Sequence, residues 1–106
     1  MDSNKLVKLT VDALEEIKAF DIKVLDVTKL TSMFDYIIIA SASSSRQTRA
    51  LANNVQEKVK NAGGSILCLE GEQTGEWLLV DLGDVIVHIM QPEAREYYNL
   101  EALWTG

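Results

Sequence analysis

Cysteine is almost missing from this sequence. Cys68 stands alone among 106 residues, so no internal disulfide can form and a cysteine-built zinc site is excluded. Histidine is as scarce, and His88 by itself cannot assemble a metal centre. One proline and six glycines, with 47% apolar and 25% charged residues, exclude collagen-like, repeat and disordered chains. No run approaches the ~18 consecutive apolar residues of a membrane helix. The first residues carry acids and lysines in place of an apolar signal core, so a location in the reducing cytoplasm is expected, with no membrane partner.

Positive charge is the other shortage. The net charge of −6 argues against a general nucleic-acid binder, and no direct sequence-specific nucleic-acid partner is expected. The deficit is concentrated in the last third, where Glu70, Glu72, Glu76, Asp81, Asp84, Glu93, Glu96 and Glu101 face Arg95 alone. Four of the seven aromatics, Trp77, Tyr97, Tyr98 and Trp104, fall in the same stretch. Aromatic anchors inside a charged rim compose a protein-binding patch that a basic partner would find by electrostatic steering. A solvated acidic surface over core aromatics is the alternative.

What is present reads as one α/β domain over residues 1–106. Asp2 and Ser3 offer N-caps, and Leu6, Leu9, Ala13, Leu14, Ile17 and Phe20 recur at spacings of three and four, predicting a helix of about 16 residues that reaches Asp21. Lys23 to Val27 reads as a short strand, and Thr28 to Asp35 as a loop. Tyr36 to Ala40 is a continuous apolar run, hence a strand buried on both faces with helices covering both. Thr48, Leu51, Ala52, Val55, Val59 and Ala62 form the stripe of a second helix, stopped by Gly63 and Gly64. Ile66 to Glu70 is a third strand, implying a parallel crossover, and Trp77–Asp81 and Val85–Met90 form a hairpin. Pro92 opens a short helix through Tyr98, with Leu100 to Trp104 as a final turn. A mixed sheet of about five strands flanked by helices follows.

Chemical motifs are incomplete. Ser41 to Ser45 lies where a phosphate loop would, between a buried strand and a helix start, but it lacks the glycines and the Gly-Lys-Ser/Thr of such loops; capping by serine is the simpler reading. Asp81 and Asp84 flank a turn and could approach a cation or cap the turn's own amides, yet they do not alternate along one strand as a nucleotidyl-transferring enzyme requires. Cys68 and His88 lie on different strands without a spacing that suggests nucleophile and base; a buried, hydrogen-bonded histidine is the plainer role. Trp77 shares a strand face with Leu79 and Asp81, which leaves it as core or as anchor. No catalytic residue, metal or cofactor is assigned.

The segments Val24-Leu25-Asp26-Val27, Asp35-Tyr36, Ser45-Arg46-Gln47, Glu70-Gly71, Glu76-Trp77, Val80-Asp81-Leu82-Gly83-Asp84-Val85-Ile86-Val87-His88 and the close Arg95, Tyr98, Leu100-Glu101, Leu103-Trp104 resemble the ribosomal silencing factor, or Iojap, family. The resemblance spans about Leu6 to Trp104. It implies a nucleotidyltransferase-like fold without catalysis, in a factor that binds the large ribosomal subunit through ribosomal protein L-fourteen and blocks joining of the small subunit when nutrients are scarce. By analogy, Trp77, Leu82 and Tyr98 are the expected apolar contacts and Glu70, Asp81 and Asp84 the acidic ones. The free chain is expected to pair as a homodimer; a small nucleotidyl-transferring enzyme and a dimeric adaptor without a ribosomal role are the other readings of its function.

Overall fold

The computed structural model describes residues 1–104. Along the chain run α1 (Ser3–Glu16), β1 (Phe20–Asp26), β2 (Tyr36–Ser41), α2 (Ser45–Asn61), β3 (Cys68–Glu70), β4 (Trp77–Asp81), β5 (Val85–Met90), α3 (Pro92–Tyr98) and α4 (Leu100–Trp104). The strands form one mixed sheet in the order β1-β2-β5-β4-β3, antiparallel throughout except for the parallel pair β2 and β5. The expected α/β class and five-stranded sheet are therefore present. β4 and β5 pair as the expected hairpin, Trp77 opposite Met90 and Asp81 opposite Ile86.

Three boundaries differ from the sequence reading. α1 ends at Glu16 because Lys18 turns into the left-handed region at φ 65°, so Ile17 and Phe20, which continue the apolar spacing, lie outside the helix. Asp21, also at positive φ, accompanies a register shift between Phe20 and Lys23, and β1 starts earlier than expected. β3 is shortened to Cys68–Glu70. The crossover through α2 does join strands of the same direction, but β3 lies at the sheet edge with β5 and β4 between it and β2.

Alternation divides the core. Ile38, Ala40, Leu78, Val80, Val85, Val87 and Ile89 pack beneath α1 and α2 with Leu6, Leu14, Leu51 and Val55. Capping fixes those helices: the Asp2 carboxylate accepts from the Lys5 amide and Ser44 Oγ from the Gln47 amide. They are tied together by Asn54 Nδ2, which donates to the Ala13 carbonyl at 2.8 Å, and by the Lys58–Glu16 ion pair. Ile37, Ile39, Ile86 and Met90 face the other way, with Val27, Ala94, Leu100 and Trp104 against them. Both faces of the Ile37–Ile39 run are thus buried, as its lack of a polar side requires.

Among the described residues the helices on the second face are the short α3 and α4, with Val27 and Phe34 beside them, and one side chain pins the two helices. The Arg95 side chain is 11% exposed; its Nε donates to Glu101 at 2.9 Å, and Nη1 donates to Ser41 Oγ at 2.7 Å and to the Asp21 carbonyl. It joins α3, α4, β1 and β2 at one point. Charge-assisted hydrogen bonds of this kind contribute about 1.5–3 kcal/mol each. Replacing Arg95 by Met keeps the stem and removes the donors, and is expected to lower urea-unfolding stability by about 2–3 kcal/mol; a change within 0.5 kcal/mol would contradict the latch.

Candidate functional site

The β4–β5 hairpin and β3 place Cys68, Glu70, Trp77, Leu79, Asp81, Ile86, His88 and Met90 on the face that carries α3 and α4, because opposed residues of antiparallel strands share a side. The helices lie toward β1 and β2, as the bonds of Arg95 to Asp21 and Ser41 and the edge-on contact of Phe34 with Trp104 record. Over β3 and β4 the face is open. Cys68, Trp77, Leu79 and Asp81 are half-buried there and Glu70 is exposed. A shallow depression of about 300 Å³ lies among Glu70, Gly71, Trp77 and Leu79.

Trp77 is held from several sides. Its Nε1 donates to His88 Nδ1 at 3.0 Å, and its ring lies 4.7 Å from that of Tyr98. Tyr97 meets Tyr98 edge-on at 5.0 Å. Because indole nitrogen only donates, His88 Nδ1 must be unprotonated. Burial keeps the imidazole neutral, pushing its pKa down to about 4, and His88 is 8% exposed. The backbone is equally constrained. Gly71 has φ +92°, and a Cβ there would sit 1.9 Å from the Trp77 carbonyl oxygen, so only glycine lets Glu70 and Trp77 stand side by side.

The loop from Gly71 to Glu76 is fastened to α2. Thr48 Oγ1 donates to the Gly75 carbonyl at 2.7 Å, Arg49 to the carbonyls of Glu72 and Gln73, and Ser45 Oγ to that of Thr74. The serine-rich loop therefore caps a helix and anchors a loop, both through its own hydroxyls.

The expected contact residues divide. Glu70, Trp77, Asp81 and Tyr98 come together on or beside the open face. Asp81 also accepts from the Gly83 amide at 2.8 Å, capping its turn. Leu82 departs from the expectation: it is 7% exposed and packs in the core beneath α1 and α2, because alternation sets it with Leu78 and Val80 on the side opposite Asp81. Asp84 is exposed in the turn, where its carbonyl accepts from the Asp35 and Tyr36 amides, away from the tryptophan. Cys68 and His88 do not form a dyad; β4 separates their strands and Trp77 occupies the imidazole's acceptor. Burial and the nearby Glu70 and Asp81 raise the Cys68 thiol above its usual pKa, away from a reactive thiolate. Among the described residues no three His, Cys, Asp or Glu side chains gather closely enough to hold a metal.

The Trp77–His88 bond was not anticipated, although the hairpin register carries it: pairing Asp81 with Ile86 puts His88 opposite Leu79 and diagonal to Trp77.

The sheet face is thus left half open, with a fixed tryptophan, two tyrosines and carboxylates on or beside it. The whole chain, residues 1–106, matches the family model described as "Ribosomal silencing factor during starvation". It is 53% identical over 106 residues to the ribosomal silencing factor RsfS of Chromobacterium violaceum, covering 100% of this chain and 87% of that protein. The RsfS of Haemophilus influenzae is 44% identical over 99 residues, covering 93% and 97%. A crystal structure of a protein from Chromobacterium violaceum superposes with a TM-score of 0.97 at 53% identity, covering 100% of this chain and 88% of that one. The chain belongs to the ribosomal silencing factor family, whose defining role is to regulate the ribosome and not to catalyse a reaction.

His88 gives a pH test. Its pKa in the folded chain, about 4, lies below the ordinary 6.5, so the unfolded chain binds the extra proton between these values and stability falls as pH drops through that window. The shift corresponds to about 3 kcal/mol at most. Urea unfolding at pH 7 and pH 4.5 is expected to show this loss in the native chain and a smaller loss in His88→Gln, which keeps an acceptor for Trp77; equal losses would contradict the burial of a neutral imidazole.

Proposed function

We propose that this chain acts as a single domain in the cytoplasm, binding the large ribosomal subunit through ribosomal protein L-fourteen and so blocking the small subunit, which lowers translation when nutrients are limiting. The observation that carries the reading is the open half-face over β3 and β4, where Trp77 stands fixed against His88 and Tyr98, with Glu70 beside it in one depression and Asp81 on the same face at the far end of β4. Tryptophan and tyrosine lead among residues that dominate interface energies, and preordered rings lose little entropy on docking. Ribosomal proteins are typically basic, so the acid-rich last third steers the encounter, with Asp84 contributing to the field at a distance. Leu82 supports this surface from the core.

The same apolar half-face accounts for pairing of the free chain as a homodimer, since a two-fold contact hides it until the ribosomal protein replaces the second copy. No helix among the described residues is long and apolar enough to cross a membrane, which agrees with a partner met in solution.

Trp77→Ala is expected to weaken co-sedimentation with purified large subunits by roughly thirtyfold, about 2 kcal/mol, while circular dichroism and melting report a folded chain. Raising salt should slow association of the native chain, because charges more than about 8 Å apart are screened at physiological ionic strength. A folded Trp77→Ala variant that binds large subunits as tightly as the native chain would place the ribosomal surface elsewhere.

A further inference from the structure

Beside Trp77 the surface holds a second, differently built feature. A cleft of about 360 Å³ opens among Glu76, Gln91, Glu93, Ala94, Tyr97 and Tyr98. No cationic side chain lines it, and neither Glu76 nor Glu93 forms an ion pair among the described residues. Both donors of the Gln91 amide are committed, to Ser45 Oγ at 3.0 Å and to the Gly75 carbonyl at 3.1 Å, so what Gln91 has left to offer is its acceptor oxygen. The cleft therefore presents two carboxylates and an amide oxygen beside the edge-to-face pair Tyr97 and Tyr98, residues that are 82% and 52% exposed. It is fixed in place, because the backbone N–H of Gln91 donates to the Glu76 carbonyl at 2.9 Å and the Tyr98 ring packs at a tilt against Trp77.

Acceptors without donors, set among aromatic faces, match one side-chain chemistry. A guanidinium presents several N–H donors in a plane and stacks on tyrosine, which an ammonium does less well and an anion not at all. The cleft adjoins Tyr98 and Trp77 and so continues the face that the ribosomal reading uses. We propose that it is the socket for an arginine side chain projecting from the basic large-subunit protein, so that Trp77 supplies the apolar contact and the cleft fixes orientation. This rests on the ribosomal reading above.

Two measurements separate the claims. In the first, N-acetyl-arginine amide is titrated into the isotopically labelled full chain and followed by amide shifts, with the neutral N-acetyl-citrulline amide as control. Saturable shifts confined to Glu76, Glu93, Tyr97 and Tyr98 are expected with arginine and not with citrulline; their absence overturns the socket. In the second, the double variant Glu76→Gln, Glu93→Gln, which keeps shape and acceptors but loses both charges, is expected to bind purified large subunits about tenfold more weakly while melting like the native chain. Native-like binding by this variant overturns the proposal even if arginine amide binds the cleft. Failure of the native chain itself to bind large subunits removes the ribosomal reading, and the socket's partner with it, whatever the titration gives.

Discussion

Everything distinctive in this molecule follows from an unequal cover. A sheet whose central strands are apolar on both sides must be buried on both sides, and the chain supplies two helices of 14 and 17 residues for one face but only seven and five residues for the other. The short pair covers β1, β2 and β5, touches the start of β4 where Tyr98 meets Trp77, and leaves β3 and the far end of β4 open. Arg95 makes that partial cover stable by binding both short helices to the first two strands. The uncovered part therefore follows from the shortness of α3 and α4 and from where the latch sits.

An open apolar half-face is costly unless it is used, and here it is made rigid. The indole of Trp77 has its donor satisfied by a histidine that burial keeps neutral, its face against Tyr98, and its preceding loop tied to α2. Such a ring has little motion left to lose when a partner arrives. The acids lie at the margin of the patch, Glu70 at one side and Glu76 and Glu93 in the adjoining cleft, where charge sets approach and register more than affinity. Membership of a family of ribosome silencing factors gives this arrangement its partner class.

Much of the fold was legible because its signals are local. The aliphatic run at Ile37–Ile39 required burial on both sides, the stripe from Thr48 to Val59 required a helix, and the Asp81–Asp84 turn required a hairpin. The end of α1 was not legible: Ile17 satisfies helical spacing yet lies outside the helix, beside a left-handed Lys18, a backbone decision that side-chain pattern does not carry. Leu82 is different: alternation from Leu78 and Val80 already sets it on the core side, and the expectation of a contact there came from the family resemblance and not from the strand pattern. That Trp77 shares a face with Leu79 and Asp81 was legible because strand alternation fixes faces, whereas the cleft at Glu76 and Glu93 joins a loop to a helix and leaves no periodic trace.

The central claim is that the uncovered β3–β4 half-face, with Trp77 and Tyr98, meets the large subunit. Amide hydrogen exchange on the chain, free and bound to purified large subunits, addresses it most directly. The account predicts slowed exchange on binding in residues 68–81 and 92–98, with α1 and α2 unchanged. Protection confined to α1 and α2, with residues 68–81 exchanging as in the free chain, would contradict it.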